Sequence, residues 1–232
     1  MNNQVKDLLR GNSRRGSIIF IGSTDWTGQL VSAGESLVDK TSTNKLTHVV
    51  FRGSDGRVYE STIGTHVVDR KLIFSSGVKI TDFEKWMNGV KARYILIMNL
   101  DGLTDKQIKI ATGTALRLKE KKMYYPVFEL VGTLMAGVAW TIAGWFKNKK
   151  AQDKILASRN PLDGKNGEYC IAFVNHCFES AERRIIPVEI NESVCNVGDG
   201  LRGHDGFSLY QISPNIKAYT KLSGEKFNFE ID

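Results

Sequence analysis

Three residue types that together can perform nucleophilic catalysis, a cysteine, a histidine and a glutamate, are spread widely along this chain. Cys170 follows a glycine-containing turn and begins a run with apolar residues at helical spacing. A helix N-terminus offers free N–H groups and partial positive charge, which stabilise a thiolate and an oxyanion. Cys170 is therefore a candidate nucleophile, and burial as a small apolar side chain is the alternative.

A histidine and a glutamate flank a predicted β-hairpin in the segment THVVFRGSDGRVYEST. If Ser54-Asp55-Gly56 forms a three-residue loop, Gly53 pairs with Arg57, and His48 then lies diagonal to Glu60 on one face. A carboxylate at that position can hold the imidazole while the other ring nitrogen faces a nucleophile. A loop one residue shorter or longer would turn Glu60 to the opposite face. An exposed ion pair is the alternative interpretation.

The remaining cysteines and histidines do not suggest a metal or cofactor site. The chain has three cysteines, an odd count that argues against a disulfide framework, and we expect Cys177 and Cys195 to be buried apolar residues. The other histidines lack metal-ligand spacing with the cysteines: His66, His176 and His204. No phosphate-binding loop follows a predicted strand, so we expect no cofactor.

The composition is that of an ordinary globular protein. Among 232 residues, 41% are hydrophobic and 25% are charged, which allows a buried core. The net charge of +7 favours acidic partners, but the basic residues are scattered and predict no specific nucleic-acid site. The first residues have no apolar core of a secretory signal, and we expect a cytoplasmic or virion-associated protein.

Hydrophobic periodicity predicts one α+β domain in which an antiparallel sheet packs against the helix of Cys170. Strands are expected at Ser17–Ile21, on both sides of the hairpin loop, at Leu72–Phe74 and at Tyr94–Met98. Besides the amphipathic helix from Cys170, helices are expected at 3–10, within 23–40, at Asp82–Gly89 with Thr81 as N-cap, and at Asp101–Lys122 with Thr104 as cap.

An almost wholly apolar stretch, residues 127–146, is long enough to span a bilayer and is followed by Lys147, Lys149 and Lys150. Trp140 and Trp145 lie near one end, where interfacial aromatic residues are found. Membrane or protein contact is one interpretation of this stretch, and packing in the core or in an oligomer is the other.

Taken together, the segments RGSIIFIGSTDW, THVVFRGSDGRVYEST, GVKITDFEKWM, EYCIAFVNHCFESA and ISPNIKAY resemble the circularly permuted, YiiX-like branch of the papain-like NlpC superfamily. The resemblance implies a permuted papain-like domain over residues 15–232, an N-terminal extension at 1–14 and an apolar helical insertion at about 126–160. It also implies a triad of Cys170 as nucleophile, His48 as base and Glu60 as its orienting partner, with Thr62 in reserve.

The resemblance implies a cysteine hydrolase whose substrate is a cell-wall peptide, another amide or a lipid ester, and we favour a peptidase or amidase that acts on the peptide. A lipid acyltransferase or thioesterase with the same triad is the first alternative. A non-enzymatic structural or delivered component of a bacteriophage particle is the second. Two features depart from the family: Thr47 precedes His48 where relatives often have serine, and the stretch between Tyr125 and Gly164 resembles an insertion.

Overall fold

The computed structural model describes residues 3–23, 46–68, 71–123, 135, 138–139, 142–157, 170–186 and 207–212. In chain order its elements are α1 (Asn3–Asn12), β1 (Ile18–Ser23), β2 (His48–Arg52), β3 (Val58–Val68), β4 (Lys71–Thr81), α2 (Phe83–Gly89), β5 (Ala92–Leu100), α3 (Asp105–Glu120), α4 (Lys149–Ala157), α5 (Cys170–Glu179) and β6 (Phe207–Ile212).

The six strands form one antiparallel sheet in the order β4-β3-β2-β1-β5-β6. The predicted α+β class is therefore correct. Strand β1 lies in the middle, and its four consecutive residues Ile18 to Ile21 are all at most 1% exposed. Such a continuous apolar run is expected when both faces of a strand are covered.

Helices cover the sheet on both faces, and strand alternation sorts the core into two clusters. Ile18 and Phe20 belong to the cluster that α3 and α5 cover. Ile19 and Ile21 belong to the cluster that α1 and α2 cover. Burial of these side chains stabilises the fold by roughly 25 cal/mol for each Å² of apolar surface removed from water.

Helix α1 lies within the segment 1–14, which we expected to be an N-terminal extension. Its Val5 and Leu9 are buried in the second cluster. Arg10 forms two hydrogen bonds to the Glu84 carboxylate, at 2.8 and 2.6 Å, and thereby links α1 to α2. The helix is thus part of the packed structure on that face of the sheet.

Helix α5 is buried on nearly every side, whereas the sequence suggested a single apolar face. Eight of its ten residues are buried. Phe51 of β2 packs against Phe173 and Phe178, with ring centroids 6.1 and 5.4 Å apart. On another side, Thr114 of α3 is 2.7 Å from Ser180, just after α5. The helix therefore lies between the sheet and α3, so an amphipathic pattern was the wrong expectation for it.

The β2–β3 hairpin has the predicted register. Phe51 pairs with Tyr59, Arg52 pairs with Val58, and the Gly53 N–H donates to the Arg57 carbonyl over 2.8 Å. Gly56 closes the loop with a φ of 80°, a conformation that glycine adopts without strain.

The backbone pairing of β2 with β3 extends only to Phe51 and Tyr59, and beyond that point β3 continues to pair with β4. His48 is therefore not part of the β2–β3 ladder, although we expected the hairpin pairing to extend to it; on its other side it pairs with Ile21 of β1.

Capping residues set the starts of two helices. Thr104 caps α3 in a reciprocal capping box with Gln107, as expected from the sequence. The predicted cap of α2, Thr81, is one residue too early, because Asp82 accepts hydrogen bonds from the N–H groups of Glu84 and Lys85. Thr81 is instead the last residue of β4.

The apolar stretch at 127–146 lies partly outside the described residues. Its described part is helical at residues 135, 138–139 and 142–145. In the part of the chain that the structure covers, no helix combines the length and apolar character needed to cross a membrane. The expected helix within 23–40 and the third cysteine, Cys195, also lie outside the described residues.

Candidate active site

The three predicted site residues come from three different elements that meet beside the larger core cluster. His48 is the first residue of β2, Glu60 is the third residue of β3, and Cys170 is the first residue of α5. Cys170 belongs to the cluster covered by α3 and α5 and is 2% exposed. Each residue therefore depends on a separate element for its position.

The imidazole of His48 contacts the carboxylate of Glu60. The Nε2 atom of His48 lies 3.0 Å from Oε2 of Glu60. The His48 side chain is 19% exposed and the Glu60 side chain is 7% exposed, so water screens this pair only weakly. Thr62 was the reserve choice for the residue that orients the His48 ring, and the structure shows Glu60 in contact with that ring. The predicted contact is therefore present, but it lies beyond the backbone pairing of β2 with β3, which ends at Phe51 and Tyr59.

Interaction with the side chain of Cys170 also affects the charge of this imidazole. Burial disfavours a charged imidazole. Hydrogen bonding and electrostatic interaction with Cys170 and Glu60 outweigh burial and raise the pKa of His48 to about 10. At neutral pH His48 is therefore protonated on both ring nitrogens. Since Nε2 donates to Glu60, Nδ1 is the nitrogen available to the Cys170 sulfur.

Glu60 remains ionised although it is almost fully buried. Burial by itself raises the pKa of a carboxyl group, but the hydrogen bond and charge of His48, with the nearby charge of Lys79, lower the pKa of Glu60 below its ordinary value. The Lys79 Nζ lies 3.7 Å from Oε1 of Glu60. Each carboxylate oxygen thus faces one cationic side chain.

Lys79 is the residue near this site that the sequence did not assign. Lys79 of β4 pairs with Glu60 of β3 in the sheet register, which places both side chains on the same face. The sequence predicted only Leu72–Phe74 as a strand here, so it did not place Lys79 opposite Glu60; the Lys79 side chain is 62% exposed. The signal that could have found it is the β3–β4 pairing, which requires the strand to extend to Thr81.

Several contacts fix α5 against the elements that carry His48 and Glu60. Asn175 is fully buried, and its side-chain oxygen accepts hydrogen bonds from the N–H groups of Ile185 and Ile186, at 2.7 and 2.9 Å. These bonds hold the chain that leaves the helix. Together with the packing of Phe51 against the helix, they limit the freedom of α5 to move along the sheet.

The other described cysteine has different surroundings. Cys177 is buried two turns further along α5 and belongs to the apolar cluster, as expected. Among the described residues, no group of three histidine, cysteine or acidic side chains is arranged to hold a metal ion. The chemistry available at this site is that of a thiol, an imidazole and a carboxylate in hydrogen-bonding contact.

Comparison with known proteins identifies no family for this chain. No protein-family model matches the sequence, and no curated protein matches it significantly.

Proposed function

We propose that this protein is a cysteine hydrolase of the permuted papain-like NlpC type, in which Cys170 is the nucleophile and His48 is the general base and acid. Glu60 is a positioning residue that holds the imidazole. The observation that carries the proposal is the 3.0 Å contact of the His48 ring with the Glu60 carboxylate, together with the buried Cys170, whose side chain interacts with the same ring. Buried titratable groups whose pKa values are shifted by one another are found most often at functional sites.

The reaction begins with an ion pair. His48 holds the proton of the Cys170 thiol, and the thiolate adds to the carbonyl carbon of an amide, forming a carbon–sulfur bond while the carbonyl electrons move to oxygen. The backbone N–H of Cys170, at the start of α5, is available to stabilise that oxyanion. His48 then donates its proton to the leaving nitrogen, and the carbon–nitrogen bond breaks.

Water completes the cycle by attacking the thioester. His48 accepts one proton from the water as the oxygen bonds to the acyl carbon, and the carbon–sulfur bond breaks to release a carboxylic acid. The thiolate and the imidazolium are then restored. Glu60 keeps the ring in one orientation through both steps, because its carboxylate accepts from Nε2 throughout.

An amide in a cell-wall peptide is the substrate class we favour. The chain order, with the histidine strand before the cysteine helix, is that of the permuted relatives which the sequence resembles. A lipid ester or thioester is the second candidate. The exposed Trp145 and Phe146 favour it, because a surface of that kind can bring an enzyme to an acyl chain.

Parallel assays separate these functions. The parent protein, Cys170→Ala and Cys177→Ala are each incubated with peptidoglycan fragments and with short- and long-chain acyl esters. We expect the parent and Cys177→Ala to release new amino groups from the peptide, and Cys170→Ala to release none. Ester cleavage without amide cleavage would favour the lipid enzyme. Complete inactivity of the folded parent on all substrates would favour a structural component of a phage particle.

A further inference from the structure

Residues 142–157 form a tight helical corner. The first helix ends at Lys147, which has a φ of 53°, while the Asn148 N–H donates to the Ala143 carbonyl over 2.9 Å and the Lys147 N–H donates to the Gly144 carbonyl over 2.9 Å. This pair of bonds is the Schellman ending of a helix. Asn148 then starts α4, because its side-chain oxygen accepts from the Ala151 N–H over 3.0 Å.

The two helices of this corner are in contact beside the turn. The side chain of Gln152 lies over Gly144, because a Cβ placed on Gly144 would be 2.8 Å from Nε2 of Gln152. The capping bonds and this contact give the turn between the helices a defined geometry. The side chains at its apex therefore project from a structured element.

The apex carries exposed aromatic side chains. Trp145 is 77% exposed and Phe146 is 80% exposed, the largest values among the exposed large hydrophobic residues that the structure describes. Three further apolar side chains of the preceding helical residues are also exposed: Met135 at 60%, Val138 at 43% and Ile142 at 43%. An exposed apolar surface of this kind marks a binding site for another apolar surface.

Basic residues follow the aromatic pair directly. Between residues 147 and 154 the charged side chains are all exposed, one of them acidic, Asp153, and four of them basic: Lys147, Lys149, Lys150 and Lys154. Adjacent aromatic and lysine side chains suit the interface of a bilayer, where rings enter the headgroup region and ammonium groups meet lipid phosphates. A second copy of the chain fits less well, because its net charge of +7 would oppose association.

We propose that this corner, residues 142–157, binds the surface of an anionic lipid bilayer. Trp145 and Phe146 enter the interfacial region, and the lysines contact the acidic headgroups. The protein then lies on the membrane and does not span it. This proposal does not rest on the catalytic role of Cys170.

Vesicle flotation with the full chain tests the proposal. Vesicles of phosphatidylcholine and phosphatidylglycerol in equal amounts are compared with vesicles of phosphatidylcholine alone. We expect binding to the mixed vesicles and much weaker binding to the neutral ones. The variant Lys147→Gln/Lys149→Gln/Lys150→Gln should bind the mixed vesicles roughly 100-fold more weakly, since each lysine near an anionic surface contributes about fivefold. The affinity of the variant Trp145→Ala/Phe146→Ala for the mixed vesicles should fall by at least about tenfold.

A matched triple variant controls for net charge. Lys119→Gln/Lys121→Gln/Lys122→Gln also removes three exposed lysines, and Lys122 has a φ of 54°, close to the 53° of Lys147. We expect this control to bind mixed vesicles within about twofold of the parent. Equal loss in both triple variants would overturn the proposal, because the overall positive charge would then explain the binding.

Two other results would overturn the proposal. The first is absence of parent binding to mixed vesicles. The second is self-association of the parent that disappears in Trp145→Ala/Phe146→Ala without any vesicle binding, which would assign the corner to contacts between copies. Circular dichroism of each variant verifies folding. The Cys170→Ala variant should bind vesicles like the parent, so failure of the catalytic proposal is distinguishable from failure of this one.

Discussion

His48 Nε2 lies 3.0 Å from Glu60 Oε2, and this contact favours the charged form of both side chains although both are largely buried. It helps to raise the pKa of His48 to about 10 and to lower the pKa of Glu60. The two groups therefore stay oppositely charged across the neutral range. This is the protonation state in which the imidazole can supply a proton to a leaving group.

Replacing Glu60 by Gln should move the alkaline limb of the kcat/KM profile to lower pH. The substitution keeps a hydrogen-bonding side chain but removes the negative charge that helps to raise the pKa of His48. We expect at least about a tenfold loss of kcat/KM at neutral pH, with an unchanged circular dichroism spectrum. An unaltered alkaline limb would show that Glu60 does not act through His48.

Lys79→Met should have a smaller effect on the kcat/KM profile than Glu60→Gln. The Lys79 charge helps to lower the pKa of Glu60, so its loss should shift the acid limb of the profile to higher pH and leave the alkaline limb in place. Because the Lys79 side chain is 62% exposed, we expect only about a two- to threefold change in kcat/KM at neutral pH. A change as large as that of Glu60→Gln would assign Lys79 a more direct role.

Stability should fall as the pH rises from neutral to alkaline, and His48 should be the cause. Its pKa is about 10 in the folded chain and 6.5 as the ordinary value, so its stabilising contribution is complete below pH 6.5 and is lost as the pH rises through 10. Urea denaturation of the parent and of His48→Gln, at several pH values, isolates this contribution.

The stability difference between parent and His48→Gln should shrink by on the order of a few kcal/mol across that interval. Glu60 has the opposite sign. Its pKa is lowered from 4.5, so its contribution is complete above that pH and is lost as the medium becomes more acidic. A difference that stays constant from pH 6 to 10 would contradict the raised pKa of His48.

Cys170 should be the described thiol that alkylating reagents modify in the folded protein. Cys170 and Cys177 are both buried, at 2% and 0%, so exposure alone predicts similar slow reaction. Of the two, only Cys170 interacts with the His48 imidazole, the base that we propose for this thiol, so Cys170 is expected to react faster. Iodoacetamide labelling followed by peptide mapping measures both rates. Removal of the imidazole in His48→Gln should lower the alkylation rate of Cys170 and leave the alkylation rate of Cys177 unchanged.

The hairpin loop should be sensitive to side chains at Gly56. A φ of 80° at this residue disfavours any residue with a Cβ, and we expect Gly56→Ala to destabilise the fold by about 1–2 kcal/mol. Gly113→Ala is the matched control, because this residue lies inside α3 with open space around its Cβ position. There alanine should stabilise by up to about 1 kcal/mol. Thermal unfolding measures the two opposite shifts.

Local signals in the sequence were sufficient to predict the register of the hairpin beside its loop, but the ladder ends at Phe51 and Tyr59, before His48 and Glu60. A short loop with glycine at its last position sets the hairpin register, and the register sets which side chains share a face. The cap of α3 was equally predictable, since Thr104 and Gln107 form a capping box within four residues, although the helix begins at Asp105 and not at the expected Asp101. Both features depend on contacts between residues close in sequence.

Features that depend on distant contacts were not predictable in the same way. Strand β4 contains Ser75, Ser76 and Gly77, which have low strand preference, and pairing with β3 determines its structure. The burial of α5 on nearly all sides results from the position of α3, which no local pattern reveals. The contact between Cys170 and His48 likewise joins elements that only the complete fold brings together.

The position of α5 between the sheet and α3 also determines when the thiol–imidazole contact can exist. His48 precedes Cys170 by more than half of the chain, and the described elements between them are β3, β4, α2, β5, α3 and α4. A contact with so large a sequence separation forms late in folding, after the elements on which it rests. During synthesis, the chain therefore contains β2 with His48 before it contains α5 with Cys170. The appearance of fast thiol alkylation can accordingly serve as a kinetic marker for completion of the native structure.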